Sequence, residues 1–210
     1  SDITVLSYHP VKVMNTGEGG MAVCNSSVLA KKMRLLRSHG ISSSAEDMFA
    51  RPDQEIWNYQ QIDLGFNYRM TDIQAALGIS QMKRLDEFVN KRHTIVQLYE
   101  QELSDLPINS PWQHPDSYSA FHLYSIRIHQ DFVKRNQRHV YETLKVAGIN
   151  ANLHYIPVYR QPYYQSMGFK VGYCPNAELY FQQTLTVPLY PNLNYVEQTK
   201  VIQALRKALV

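Results

Sequence analysis

The stretch that most constrains the fold begins at Thr71-Asp72, a helix-capping pair. After it, Ile73, Ala76, Leu77, Ile79, Met82, Leu85, Phe88 and Val89 trace one apolar face, and the pattern runs on through Ile95, Leu98 and Tyr99 to Leu103. An unbroken helix of about 30 residues would reach roughly 45 Å, enough to bridge two domains. Pro107, Pro111 and Pro115 follow it as a linker signal. With 210 residues the chain is long enough for this division and for a sizeable core. The expected organisation is a first domain over residues 1–104, long helix included, and a second over 105–210.

The first domain opens with two short apolar, β-branched runs at residues 3–6 and 21–24, which read as buried strands. Between them lie Ser7-Tyr8-His9-Pro10-Val11-Lys12 and Asn15-Thr16-Gly17-Glu18-Gly19-Gly20. Pro10 stiffens the entry and the glycines permit tight turning, so Lys12 sits on a short connection at the end of a sheet. A lysine in a low-dielectric site near another cation gives up its proton readily, and the free amine forms a Schiff base with a carbonyl. The competing reading of Lys12 is a solvated turn lysine.

Further along, Asn25-Ser26-Ser27 caps a helix that ends near Gly40. Residues 42–66 show no periodicity and are long for a loop, a length that often marks a lid or binding segment. Beyond the linker, residues 122–128 read as a strand, 132–146 as a helix stopping at Gly148, and 149–155 as a second strand. A helix over 174–183, a strand over 184–188 and an amphipathic helix over 195–209 complete an α+β second domain.

Charge excludes some functions. Twenty-one basic against 18 acidic residues leave a net charge of +3 without any run of like charge, too little to point to nucleic acid or a membrane surface. No apolar run approaches the roughly 18 residues of a spanning helix, and the start lacks a signal-peptide pattern, so a cytoplasmic chain is expected. The eight histidines include no pair at helical ligand spacing with acids nearby, so no metal is expected. Cys24 and Cys174 stand far apart and read as reduced, structural thiols, Cys24 in a buried strand. Tyr155, Tyr159, Tyr163 and Tyr164 fall in loops, where rings with a polar tip suit a wet cleft or a subunit interface.

The Ser-Tyr-His-Pro-Val-Lys motif with the glycines after it resembles the lysine motif of the DegT/DnrJ/StrS family of pyridoxal 5'-phosphate (PLP) nucleotide-sugar aminotransferases. Arg37-Ser38-His39-Gly40, Gly65-Phe66-Asn67-Tyr68-Arg69-Met70, Ala75-Ala76-Leu77-Gly78, His154-Tyr155 with Pro157, and Leu189-Tyr190-Pro191 resemble further family landmarks, in family order. The resemblance implies an α/β chain of PLP-dependent transferase fold type I: the C-terminal part of the large domain plus a small α+β domain. Family members are nearly twice as long. The resemblance therefore implies that the other half carries the phosphate loop, the aromatic stacked on the cofactor ring and the acid at its nitrogen, and that this segment alone is inactive.

By the same resemblance, Lys12 would hold PLP as an imine and then serve as general acid and base. Ser7 would bond the cofactor phosphate, and Asn67 would reach that phosphate from a neighbouring subunit, so a homodimer with shared active sites is implied. Arg69 is a candidate for the glutamate carboxylate, since a guanidinium grips a carboxylate in two parallel hydrogen bonds; the alternative is an arginine pinning a loop to a helix. His154 and Tyr155 would face the nucleotide sugar, or else fill core and surface. The reaction implied is transfer of an amino group from glutamate to a keto-sugar nucleotide. The motifs look most like those of enzymes that aminate C4 of a UDP-linked 4-keto-6-deoxy-N-acetylhexosamine towards pseudaminic acid. The alternatives are a dTDP-linked keto sugar as substrate, or a truncated, non-catalytic dimerisation or regulatory module.

Overall fold

The computed structural model describes residues 1–50, 54–129 and 136–210. The chain forms two compact units, Ser1–Leu85 and Asp86–Val210. They divide inside the stretch that reads as one long helix, not at residue 104. That stretch is two helices, α2 (Asp72–Met82) and α3 (Leu85–Glu102). The α2 start is a full capping box, with Thr71 and Gln74 satisfying each other's backbone amides. At the break the ladder tightens: the Arg84 amide donates to Gln81 O three residues back at 3.0 Å, while the Lys83 amide makes only a 3.4 Å bond to Ile79 O.

In the first unit, β1 (Thr4–Ser7) and β2 (Gly20–Val23) form a two-stranded antiparallel ribbon with Ser7 opposite Gly20. The expectation of buried strands is corrected here, since every residue of both strands is exposed, Val5 to 76%. A two-stranded ribbon cannot cover its own faces, and β2 borders an open groove. Helix α1 (Ser27–Leu36) starts where the Ser26 hydroxyl accepts from the Leu29 amide. Residues 42–66 are not structureless. Strands β3 (Ile41–Ser42) and β4 (Gln60–Gln61) pair antiparallel, and the Gln60 side chain extends the pairing to the Phe49 amide and carbonyl. Pro52 of that segment lies outside the described residues.

The second unit is built on an antiparallel sheet of three strands, β5 (Ile108–Asn109), β6 (Tyr124–Ile128) and β7 (Thr184–Val187), with β6 central. Every β7 residue is buried. Helices α3, α4 (Gln137–Val146) and α7 (Tyr195–Leu209) bring Tyr99, Leu144 and Leu205 into one core with Ile126 and Leu185. Residues 132–135 of the helix expected from 132 lie outside the described residues. Helix α4 ends in a Schellman motif. Gly148 takes φ +73°, its amide donates to Lys145 O and that of Ile149 to Leu144 O, both at 2.9 Å, and Leu144 and Ile149 join the core.

The strand expected over 149–155 does not form. Only Asn152 bridges β7, exchanging both backbone bonds with Thr186, and its side chain then captures the Leu153 amide at 2.8 Å. That local bond competes with extension of the ladder. A short 3₁₀ turn (Val158–Arg160), α5 (Pro162–Ser166) and α6 (Pro175–Gln183) complete the unit. No helix among the described residues is long and apolar enough to cross a membrane.

Candidate active site

Lys12 lies in a twelve-residue connection between β1 and β2, and that connection is pinned. The Tyr8 amide donates to Gly19 O (2.9 Å), continuing the ribbon by one bond, and the Thr16 amide donates to Tyr8 O (3.0 Å), closing residues 8–16 into a loop. Inside it, the Lys12 amide donates to His9 O at 2.9 Å across a turn with Pro10 in its second position, where the fixed φ of proline suits the geometry. Tyr8, Met14 and Thr16 are buried and anchor the loop, while Lys12 is half-buried. Among the described residues its ammonium group has no acid or hydrogen-bonding partner. Ser7, at the last position of β1, is exposed, and its hydroxyl accepts a long 3.5 Å bond from the His9 amide. Ser7 and Lys12 thus share one end of the ribbon.

Asn67 and Arg69 are placed by α1. The segment before Arg69 runs antiparallel to the end of that helix: the Phe66 amide donates to Leu36 O (2.7 Å), that of Tyr68 to Arg37 O (2.9 Å), and that of His39 to Phe66 O (2.9 Å). Such close contact needs two glycines. Gly40 has φ +69° and a Cβ there would stand 1.9 Å from Asp63 O, while a Cβ on Gly65 would stand 2.2 Å from the Gly40 nitrogen. Asn67 is exposed. Arg69, with Arg34 and Arg37, lines the groove between β2 and α1, a cavity of about 980 Å³ that also contains Asp72 but neither Lys12 nor Asn67. Three guanidinium groups against one carboxylate favour an anion there. Among the described residues the Arg69 guanidinium has no hydrogen-bonding or acidic partner.

His154 and Tyr155 belong to the second unit. The His154 Nδ1 lies 2.8 Å from Thr186 Oγ1, which lies 2.7 Å from Ser125 Oγ, and the Tyr155 ring meets the imidazole edge-on at 4.5 Å. This chain of hydroxyls orients the imidazole from β6 and β7, and Tyr155 stays 70% exposed. The loop tyrosines are partly knotted. The Tyr159 hydroxyl donates to Glu178 Oε1 at 2.6 Å, as does the Gly172 amide. These two bonds, Tyr159 first, hold the Glu178 carboxyl below its ordinary range, while desolvation, then the bond to Glu178, raises the Tyr159 phenol. Cys24 and Cys174 are free; Cys24 lies just after β2, half-buried, its thiol donating to Ser26 O at 3.2 Å, and Cys174 is exposed. No metal-ligand cluster occurs among the described residues.

Sequence reasoning gave no individual role to the residues that organise these sites: Thr16 beneath the lysine loop, Arg34 and Arg37 in the groove, and Thr186 with Ser125 behind His154. One signal was legible. Gly78 stands inside an apolar helical pattern, where a glycine marks close approach of another backbone or side chain.

An α/β chain with a lysine on a pinned connection at the end of a sheet, followed by an antiparallel three-stranded unit carrying helices, has the architecture of fold type I PLP-dependent transferases. Residues 1–206 match the DegT/DnrJ/EryC1/StrS aminotransferase family, and the chain belongs to that family, whose enzymes are PLP-dependent. It is 35% identical over 208 residues to the spore coat polysaccharide biosynthesis protein SpsC of Bacillus subtilis, covering 98% of this chain and 53% of SpsC. It is 33% identical over 195 residues to the UDP-4-amino-4,6-dideoxy-N-acetyl-beta-L-altrosamine transaminase of Campylobacter jejuni, covering 92% and 49%. The structure of Helicobacter pylori PseC, an aminotransferase involved in the biosynthesis of pseudoaminic acid, aligns with a TM-score of 0.85 at 30% identity over the whole of this chain and 53% of PseC. The chain thus spans about half the length of the curated relatives it matches.

Proposed function

We propose that this chain forms the lysine-bearing part of an enzyme that moves an amino group from glutamate to C4 of a UDP-linked 4-keto-6-deoxy-N-acetylhexosamine. The observation that carries this reading is Lys12, a primary amine with no competing acid among the described residues, on a loop pinned at both ends. These residues fit PLP: Lys12 offers the amine that an aldehyde needs, and the Ser7 hydroxyl at the same ribbon end and the exposed Asn67 amide offer donors to a phosphate. When bound, PLP supplies an electron sink that lets a proton leave the carbon bearing the amine.

In this proposal Lys12 Nζ anchors the cofactor and, once released, holds and moves that proton as base and then acid. Asn67 acts across a homodimer, which places its exposed amide against a neighbouring subunit. Arg69, in a groove with two further guanidinium groups, grips the glutamate carboxylate. His154, its ring set by Thr186, and Tyr155 beside it face the sugar nucleotide. The UDP-linked substrate is supported by the name of the Campylobacter jejuni relative, and the pseudaminic acid direction by that of the Helicobacter pylori one. The proposed setting is the cytoplasm, with any other part of the cofactor's cradle supplied by the remaining length that relatives possess.

The test supplies the protein, expressed at the full length of its relatives, with PLP, glutamate and the UDP-linked 4-keto sugar and follows the product by mass spectrometry. A glutamate-dependent 4-amino sugar nucleotide, lost in Lys12→Ala, is expected. Turnover of a dTDP-linked keto hexose alone would reassign the substrate, and no product from either would overturn the proposal.

A further inference from the structure

We infer that Gly78 and Thr16 are positioning residues for Lys12: the α2 backbone at Gly78 seats the Thr16 side chain, and Thr16 locks the neck of the loop that carries the lysine. This rests on the proposed role of Lys12, although the packing it describes can be tested without it.

Thr16 is 2% exposed and both arms of its side chain are engaged. Its hydroxyl donates to Glu18 O at 2.7 Å, and its amide donates to Tyr8 O, the bond that closes residues 8–16. Its methyl faces α2, where a Cβ built on Gly78 would stand 2.9 Å from Thr16 Cγ2. On the other side, a Cβ on Gly19 would stand 2.3 Å from Thr16 Oγ1. The threonine is therefore held between two glycines. A β-branched side chain has few rotamers, and this one cannot turn its methyl away without breaking the hydroxyl bond. Glycine within a helix is unfavourable relative to alanine, so the position is explained by the close approach and not by helix formation. Lys12 lies four residues before Thr16 inside the closed loop, so a shift of the neck moves the amine.

The geometry makes a sign-specific prediction. Gly78→Ala improves helix propensity yet pushes Thr16 Cγ2 outward, whereas Thr16→Ser removes that methyl and keeps the hydroxyl. Amide hydrogen exchange of the protein without cofactor should show Gly78→Ala speeding exchange at Tyr8 and Thr16 by about tenfold, with the α2 amides unaffected. The Gly78→Ala/Thr16→Ser double variant should return both amides to the wild-type rate. Thr16→Val, which fills the same volume without the hydroxyl bond, should also speed them. Borohydride reduction after addition of PLP to the protein at the full length of its relatives, read as the mass of the Lys12 peptide, should follow the same order: wild type and double variant labelled, Gly78→Ala labelled about tenfold less. Unchanged exchange in Gly78→Ala, a double variant as impaired as the single, or equal labelling of a labelled wild type and Gly78→Ala would overturn the inference. An unlabelled wild type would overturn the proposed role of Lys12, and the exchange pattern would still decide the packing.

Discussion

Arg92 on α3 is 5% exposed, and its Nη1 donates to Phe121 O and Leu189 O at 2.9 Å and to His122 O at 3.3 Å. Burial lowers the guanidinium pKa, and the carbonyl bonds offset part of the desolvation of the charge. Arg92→Met removes all three bonds, those to the buried Phe121 and Leu189 carbonyls among them, a loss of about 2–3 kcal/mol expected in urea unfolding. Gly40 makes a second residue-scale case. An alanine there meets both the left-handed φ of +69° and the Asp63 carbonyl at 1.9 Å. A loss of more than about 2 kcal/mol follows, and with it the seating of Asn67 and Arg69, measurable as faster exchange of the Phe66 and Tyr68 amides.

Among elements, the family landmarks are held by contacts with segments distant in sequence. Arg37-Ser38-His39-Gly40 follows α1, and Phe66 and Tyr68 hydrogen-bond to it and to the helix end; Gly78 of α2 meets the lysine loop; His154 meets Thr186 of β7. Each pair joins segments distant in sequence, which is why motif spacing alone did not show it. The segment from Val158 to Gln183 is held by Glu178, which gathers the Tyr159 hydroxyl and the Gly172 amide. Because the folded carboxyl is depressed, its contribution is fully present above the unfolded glutamate range near 4.3 and is lost as pH falls through the lower folded value. Acid titration should therefore loosen this segment below about pH 4, read as a rise in Gly172 amide exchange, and Glu178→Gln should remove that pH dependence.

At the scale of the molecule the two units differ in kind. Asp86–Val210 encloses one contiguous core, with Tyr99, Tyr124, Ile126, Leu185 and Leu205 fully buried, whereas the only described buried residues of Ser1–Leu85 are Tyr8, Met14, Thr16 and Gly40. A polypeptide of residues 86–210 should therefore unfold cooperatively by itself in denaturant. Leu205→Ala within it should cost about 2–5 kcal/mol. A non-cooperative transition for that polypeptide would show that its core depends on the first unit.

Local patterns sufficed where the physics is local. Capping residues and helical periodicity set the starts of α1, α2 and α7, and period-two alternation marked β6, because these depend on neighbours within a few residues. The lysine motif and its relatives identified the family from sequence. Tertiary structure decided the rest: that the long helical pattern breaks at Lys83-Arg84, that residues 149–155 make a single bridge, that β1 and β2 are exposed, and that Thr16 and Gly78 meet beneath the loop of Lys12. Sequence records which side chains can be buried or bonded. Which of them are depends on contacts between residues such as 16 and 78, whose approach is set by packing and by the absence of a single Cβ.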